Sequence, residues 1–179
     1  IGGGSADAAA CFRAIRQLNG AKEDARSMGS LLSLGADVPM CVHSVPARIR
    51  GIGEQIESLE TLPAFPILLV NPRVEVSTAA VFKALNKRDN MPMSDLPQDL
   101  SDQSTLIEWL RNQRNDLQSA AISLAPVISQ VLERISATPD CLIARMSGSG
   151  ATCFGLFETI QQTEMAAKAL QEAHPDWWI

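Results

Sequence analysis

The chain has only two histidines, His43 and His174, in 179 residues. They stand too far apart in sequence to read as a histidine-based metal site. Its four cysteines, Cys11, Cys41, Cys141 and Cys153, have neither CxxC nor any other metal-ligand spacing. They read as buried thiols of a reducing cytoplasm, not as zinc ligands. No apolar run approaches the length of a membrane span, and no signal peptide is visible. There is no basic excess: 15 Lys and Arg against 20 Asp and Glu leave a formal charge of −5. That balance argues against a general nucleic-acid binder. Internal repeats and low-complexity tracts are absent. No lysine follows the glycine run at the start, so the Walker A pattern is missing. The dinucleotide fingerprint, a GxGxxG with a well-placed acidic residue, is missing too. What is present, 46% hydrophobic and 20% charged residues, fits a soluble globular protein of one compact domain or parts of two.

The most informative segment is Gly2-Gly3-Gly4-Ser5-Ala6-Asp7, directly after Ile1. A helix beginning at Ser5 leaves its first amides unpaired and aimed at the glycine loop. Those donors and the positive end of the helix dipole suit a phosphate. Ala8, Ala9, Ala10, Phe12, Ile15 and Leu18 continue the helix, and Asn19-Gly20 ends it. The plainer alternative is a glycine turn that caps an ordinary helix.

Further along, a helix is expected over Glu23–Leu34, ending at Gly35. Asp37–Val42 reads as a loop passing into a strand. Ala47–Arg50 continues extended, and Gly51-Ile52-Gly53 makes a turn. The composition shifts near residue 60, which divides the chain into domains 1–60 and 61–179. Ile67–Val70 is an apolar run read as a buried strand. Ser77 or Thr78 caps a helix carrying Val81, Phe82 and Leu85. Residues 86–102 read as an exposed loop. Helices follow over Ser104–Arg111 and after Pro126. Ala144–Met146 and Thr152–Phe157 read as strands, Thr159–Ala173 as a helix, and Trp177–Ile179 as a strand cut short. The fold class is α+β. The order after residue 66 is that of a ferredoxin-like, split βαβ domain, with helices on one face of an antiparallel sheet.

Three more segments can carry chemistry. Asp37, between Gly35 and an apolar stretch, can accept a proton from a substrate hydroxyl, or simply cap a turn. Ser147-Gly148-Ser149-Gly150 can form an anion-binding nest, or a tight hairpin turn. Phe82 is one of eight aromatic residues (5 Phe, 3 Trp). It can stack a base or sit in the core.

Taken together these segments resemble the GHMP kinase superfamily. The narrower resemblance is to the kinases of 4-diphosphocytidyl-2-C-methyl-D-erythritol. It rests on Ile1-Gly-Gly-Gly-Ser-Ala-Asp-Ala-Ala9, Leu34-Gly-Ala-Asp-Val-Pro39, Gly51-Ile-Gly-Glu54 and Val70-Asn-Pro72. Ser77-Thr78 to Phe82-Lys83, Asn115-Asp-Leu117 and Arg145-Met-Ser-Gly-Ser-Gly-Ala151 follow in the same order.

The resemblance implies a two-domain GHMP kinase fold. The chain would be the end of its N-terminal ATP-binding domain followed by the ferredoxin-like C-terminal domain. It also implies that an N-terminal part, with a lysine partner for Asp37, and a final strand lie outside this sequence. The fragment alone is then expected not to turn over. The implied reaction moves the ATP γ-phosphate to the 2-hydroxyl of that substrate, in the non-mevalonate route to isoprenoids. Gly2, Gly3, Gly4, Ser5 and Ala6 would cradle ATP phosphates, with Mg²⁺ offsetting their charge and no dedicated metal residues. Asp37 would be catalytic, and Thr78 and Phe82 would contact the cytidine. Gly148, Ser149 and Gly150 would form the family's third motif. Ala6 stands where many relatives carry a second serine, which removes one hydroxyl contact.

The expected setting is cytoplasmic. The partner is a small molecule, with no nucleic acid or membrane involved, and the state is a monomer or weak homodimer. Alternatives are a GHMP kinase of another small alcohol or sugar, and a catalytically silent nucleotide-binding domain.

Overall fold

The computed structural model describes residues 2–20, 25–59 and 61–179. The chain falls into two compact units, residues 1–62 and 63–179.

The first unit begins with helix α1 (Gly3–Asn19). It starts two residues before the expected Ser5. Gly2 takes a left-handed conformation with φ 57°, and its carbonyl accepts the Ala6 amide at 2.9 Å. Glycine reaches that conformation without steric penalty, so the helix extends back through the glycine run. Gly20, also left-handed, ends it by donating to the Arg16 and Gln17 carbonyls. Helix α2 spans Ala25–Leu34; the expected start at Glu23 lies outside the described residues.

The reading of Asp37–Val42 as a loop into a strand is corrected: Val38–His43 is a short helix, α3. Pro39 sits in its first turn, where a missing amide costs no hydrogen bond. The Arg13 guanidinium on α1 donates to the Cys41 carbonyl at 2.7 Å and satisfies an end of α3. Ala9, Leu31, Val38 and Val42 form the small core of this unit. Strands β1 (Ala47–Arg50) and β2 (Gln55–Ser58) then pair as an antiparallel hairpin about the expected glycine turn.

The second unit holds an antiparallel sheet of β3 (Ile67–Val70), β4 (Ile143–Met146) and β5 (Cys153–Leu156), in the order β3-β5-β4. The Pro66 carbonyl accepts the Phe157 amide at 3.2 Å. In this register residues 66, 68 and 70 therefore bond toward β5, while 67, 69 and 71 bond toward the other edge. Asn71 uses that edge to exchange both backbone hydrogen bonds with Trp178. The spatial order is thus Trp178 segment, β3, β5, β4, as in a split βαβ fold.

Between β3 and β4 run α4 (Thr78–Lys83), α5 (Gln103–Arg111), α6 (Gln118–Leu124) and α7 (Val127–Ser136). Helix α8 (Ile160–Ala173) follows β5 behind a Thr159–Gln162 capping box.

Strand alternation divides the sheet into two faces. Leu68, Val70, Met146 and Cys153 share one core with Ile128, Val131 and Ile135 of α7 and Ala166 and Leu170 of α8. Ile143 and Leu156, on the opposite face, pack with Ile107 of α5. Helices on one face only is therefore corrected. The out-of-phase apolar residues of β4 and β5 need cover as well, and α5 supplies part of it.

Gly155 sits opposite Leu68 and Ala144 on the face under α7. A Cβ there would lie 2.7 Å from Ile135 Cγ2 and 3.2 Å from the Phe157 ring. Both neighbours are fully buried and have no free volume to move into. Gly155→Ala is expected to destabilise the chain by about 1–3 kcal/mol. Urea denaturation checks this, and an unchanged midpoint would mean that α7 yields freely over β5.

Candidate functional site

In the first unit, the start of α1 meets the turn before α3. Gly3, Gly4 and Ser5 are the first three residues of α1, and their amides have no acceptor within the helix. Ala6, by contrast, has its amide in the Gly2 bond described above. Of the five residues expected to cradle phosphate, Ala6 offers no free donor in this arrangement. Gly3 and Gly4 are exposed, and a Cβ on either would meet nothing within 4 Å.

Ser5 Oγ lies 3.9 Å from where a Gly35 Cβ would be. The α1 start therefore adjoins the segment that carries Asp37. From the other side the β1–β2 turn presses in. Gly53 is buried with φ 118°, and a Cβ on it would lie 2.2 Å from the Ala36 carbonyl oxygen. Glu54 braces that turn by accepting the Ile52 amide at 2.7 Å. Backbone donors, its own amide first and then that of Ile52, hold its carboxyl below the ordinary range against a small opposing effect of burial.

Asp37 occupies the N-cap position of α3, yet its side chain makes no capping hydrogen bond. The turn-capping alternative is right about its place and wrong about its carboxylate, which is exposed. Val38, next to it, is buried. An exposed carboxylate on a fixed backbone beside unpaired helix amides suits a proton acceptor next to an anion site.

In the second unit, residues 147–152 form the β4–β5 turn. Ser147 donates to the Thr152 carbonyl at 2.9 Å, and Gly150 donates to the Ser147 carbonyl at 3.0 Å. The hairpin alternative is thus the observed geometry. The amides of Gly148 and Ser149 have no acceptor among the described residues. Ser149 Oγ and Thr78 Oγ1 share a hydrogen bond of 2.7 Å. Ser77, and not Thr78, caps α4, which leaves the Thr78 hydroxyl for that contact. Phe82 follows Thr78 by four residues and lies on the same helix face. It is 51% exposed, whereas Val81 is fully buried. Phe82 therefore lies outside the described core of this unit.

The structure therefore groups Gly2–Ala6 with Asp37 in one unit, and Thr78 and Phe82 with Gly148–Gly150 in the other. The turn has supports that sequence reasoning did not assign. Asn115 donates to the carbonyls of Met146 and Gly148 at 2.9 and 2.8 Å. Asn71 donates to Thr152 Oγ1 at 2.8 Å. Both lie in segments that carried the resemblance, which was the only available signal. Among the described residues no three His, Cys, Asp or Glu side chains converge as a metal centre. None of the described helices is long and apolar enough to cross a membrane.

Residues 92–179 match the family model of the GHMP kinases C terminal domain. Curated relatives are similar along the whole chain. The 4-diphosphocytidyl-2-C-methyl-D-erythritol kinase of Roseobacter denitrificans is 52% identical over 100% of this chain and 60% of its own length. That of Ruegeria pomeroyi is 51% identical over 99% of this chain and 63% of its own. A crystal structure of 4-(cytidine 5'-diphospho)-2C-methyl-D-erythritol kinase superposes with a TM-score of 0.73 at 32% identity, covering 99% of this chain and 64% of that one. The match to the family model is confined to residues 92–179, and the chain spans about 60% of the length of the first of these relatives.

The two kinds of glycine in the first unit separate by substitution. Gly53→Ala is expected to cost about 2 kcal/mol or more, because a left-handed backbone and a backbone oxygen both oppose the new carbon. It should also shift the amide resonances of Ala36 and Asp37. Gly4→Ala is expected to leave stability within about 0.5 kcal/mol, or to raise it, because alanine favours the helix. Thermal melts and amide spectra of the two variants check this, and equal losses would remove the distinction.

Proposed function

We propose that the full-length protein transfers the γ-phosphate of ATP to the 2-hydroxyl of 4-diphosphocytidyl-2-C-methyl-D-erythritol, a step of the non-mevalonate route to isoprenoids. One observation carries the reading: the unpaired amides at the start of α1 adjoin, through Ser5 and Gly35, the turn that presents Asp37. The names of the similar proteins supply the acceptor.

The residues fit a nucleotide triphosphate. Gly3, Gly4 and Ser5 offer amide donors at the positive end of a 17-residue helix. Gly2, in a left-handed turn, bends the chain so that these amides stay open. Ala6 fixes the turn and leaves donation to its neighbours. The absence of side chains on Gly3 and Gly4 lets phosphate oxygens approach the backbone closely. Mg²⁺, carried mainly on phosphate oxygens, would supply neutralisation of their charge.

Asp37 orients the acceptor hydroxyl and takes its proton. The hydroxyl oxygen forms the new bond to γ-phosphorus as the bond from γ-phosphorus to the β,γ-bridging oxygen breaks, and the electron pair leaves with ADP. An alkanol is a far weaker acid than a carboxylic acid. Asp37 therefore receives the proton late, as the new bond forms in a loose transition state. Positioning supplies much of the rate.

From the second unit, Phe82 stacks on the cytosine and Thr78 contacts the diphosphocytidyl group. Gly148, Ser149 and Gly150 form the turn behind them. In this reading residues 1–60 are the end of the ATP-binding domain. The protein works in the cytoplasm on a small molecule, as a monomer or weak homodimer, without nucleic acid or membrane.

The test is a phosphotransfer assay of the full-length protein with ATP-Mg²⁺ and this acceptor, with homoserine and mevalonate as controls. Turnover of a control alone would replace the acceptor, and turnover of none would leave a silent nucleotide-binding protein. Asp37→Asn is expected to lower kcat by about 10²-fold or more with ATP binding retained. An unchanged kcat would remove Asp37 from the chemistry.

Phe82→Ala is expected to weaken acceptor binding by about 1–3 kcal/mol, as for loss of a base-stacking aromatic, with the ATP KM nearly constant. Stability should barely change, since the ring is half exposed. A fall in stability without a fall in acceptor affinity would contradict the stacking role.

A further inference from the structure

Asn115 lies between helices α5 and α6, half-buried, and uses three of its four hydrogen-bonding positions on backbone. Its amide nitrogen donates to the Met146 and Gly148 carbonyls at 2.9 and 2.8 Å. Its amide oxygen accepts the Leu117 N–H at 3.0 Å. Only this orientation of the side chain satisfies all three partners, so the nitrogen and oxygen are assigned by the network itself. Gln118 adds a further hold by accepting the Met146 amide at 3.3 Å.

The two carbonyls held by Asn115 bracket Ser147. Gly148, whose carbonyl it holds, has φ 53° and precedes Ser149 directly. Ser149 in turn meets the Thr78 hydroxyl at 2.7 Å. A continuous chain of hydrogen bonds and one peptide link therefore runs from Asn115 to the α4 face that bears Phe82.

We infer that Asn115 is a positioning residue for the acceptor: it fixes the Gly148–Ser149 turn, and through Ser149 it fixes Thr78 and the α4 face that bears Phe82. The inference rests on the reading of Thr78 and Phe82 as diphosphocytidyl contacts. Asn115 itself touches neither ligand in this account. Its loss is felt as a looser acceptor site and not as slower chemistry at Asp37.

The test is steady-state kinetics of the full-length protein carrying Asn115→Asp or Asn115→Ala. The probes are ATP and 4-diphosphocytidyl-2-C-methyl-D-erythritol, and Ile135→Val serves as a core-truncation control. Asn115→Asp keeps the acceptor for Leu117 but sets a carboxylate oxygen against two carbonyl oxygens. The acceptor KM is expected to rise about tenfold in both variants, the scale of one lost hydrogen bond, with the ATP KM within about twofold. Ile135→Val should leave both KM values unchanged.

An unchanged acceptor KM, or an ATP KM that rises in step with it, overturns the inference and leaves the phosphotransfer reading standing. No turnover of this acceptor by the wild-type protein overturns that reading and the inference with it. Amide spectra give a readout independent of activity. Thr78, Val81 and Phe82 resonances are expected to move in Asn115→Asp, and fixed resonances would mean that the turn and α4 are not coupled.

Discussion

A carbon atom at position 53 would lie 2.2 Å from the Ala36 carbonyl oxygen, and the first unit is arranged around the absence of that atom. The β1–β2 turn can then seat directly on the backbone at Ala36. Two residues further on, the Val38 amide donates to the Gly35 carbonyl at 3.1 Å, and the Val38 side chain is buried with Ala9 and Leu31. Asp37 is thus held from both sides by its neighbours while its own carboxylate stays in solvent. A group that must take a proton from a bound hydroxyl needs this combination of fixed backbone and unengaged side chain.

The second unit solves its positioning problem with polar contacts. The β4–β5 turn has few apolar side chains to pack, so its backbone carbonyls and hydroxyls are satisfied by Asn71, Thr78 and Asn115. Each such bond contributes only about 0.5–1.5 kcal/mol on its own. Their effect is specificity of shape, because a displaced turn would take the part-buried Met146 carbonyl away from its Asn115 donor. The supports come from residues 71, 78 and 115, which reach the turn from the end of β3, from α4 and from the loop before α6. They can meet at one turn because the antiparallel register sets Val70 and Met146 on either side of Cys153.

Long, strongly patterned elements were legible in the sequence. The Ile128, Val131 and Ile135 spacing declared α7, and the Ile67–Val70 run declared β3. The short elements were not. Val38–His43 has six residues, fewer than two turns, so no helical period can establish itself, and Val38 and Val42 then suggest a strand. α6, with seven residues of mostly small and polar type, leaves an equally faint trace. The helix start moved from Ser5 to Gly3 because glycine tolerates both the loop and the helix, so sequence cannot decide between them. The fold class survived these errors because the order of strands, not the short helices, determines it. Of the site, the glycine loop and Asp37 were visible as local patterns. Asn115 was invisible as a support, since its partners lie 31 and 33 residues away. The exposure of Phe82 depends on which side of α4 faces the core, and a six-residue helix carries no such signal.

Glycines that the fold requires differ from those that it does not. Gly53 and Gly155 are required, because a side chain would strike the Ala36 backbone oxygen at the first and the buried Ile135 at the second. Gly3 and Gly4 have open space around them and helical dihedrals that alanine would adopt more readily. Open space alone does not mark a site, since Gly29 in the interior of α2 has it too and nothing in the structure explains that glycine. Gly3 and Gly4 differ from Gly29 in their amides. Those of the first turn of α1 have no partner within the helix, whereas in the interior each amide bonds the carbonyl one turn before it. A missing side chain beside an unpaired donor gives an anion both a path to the backbone and something to bond there. The fold alone therefore leaves two weak helix formers unexplained at a place in the first unit where a phosphate would account for both.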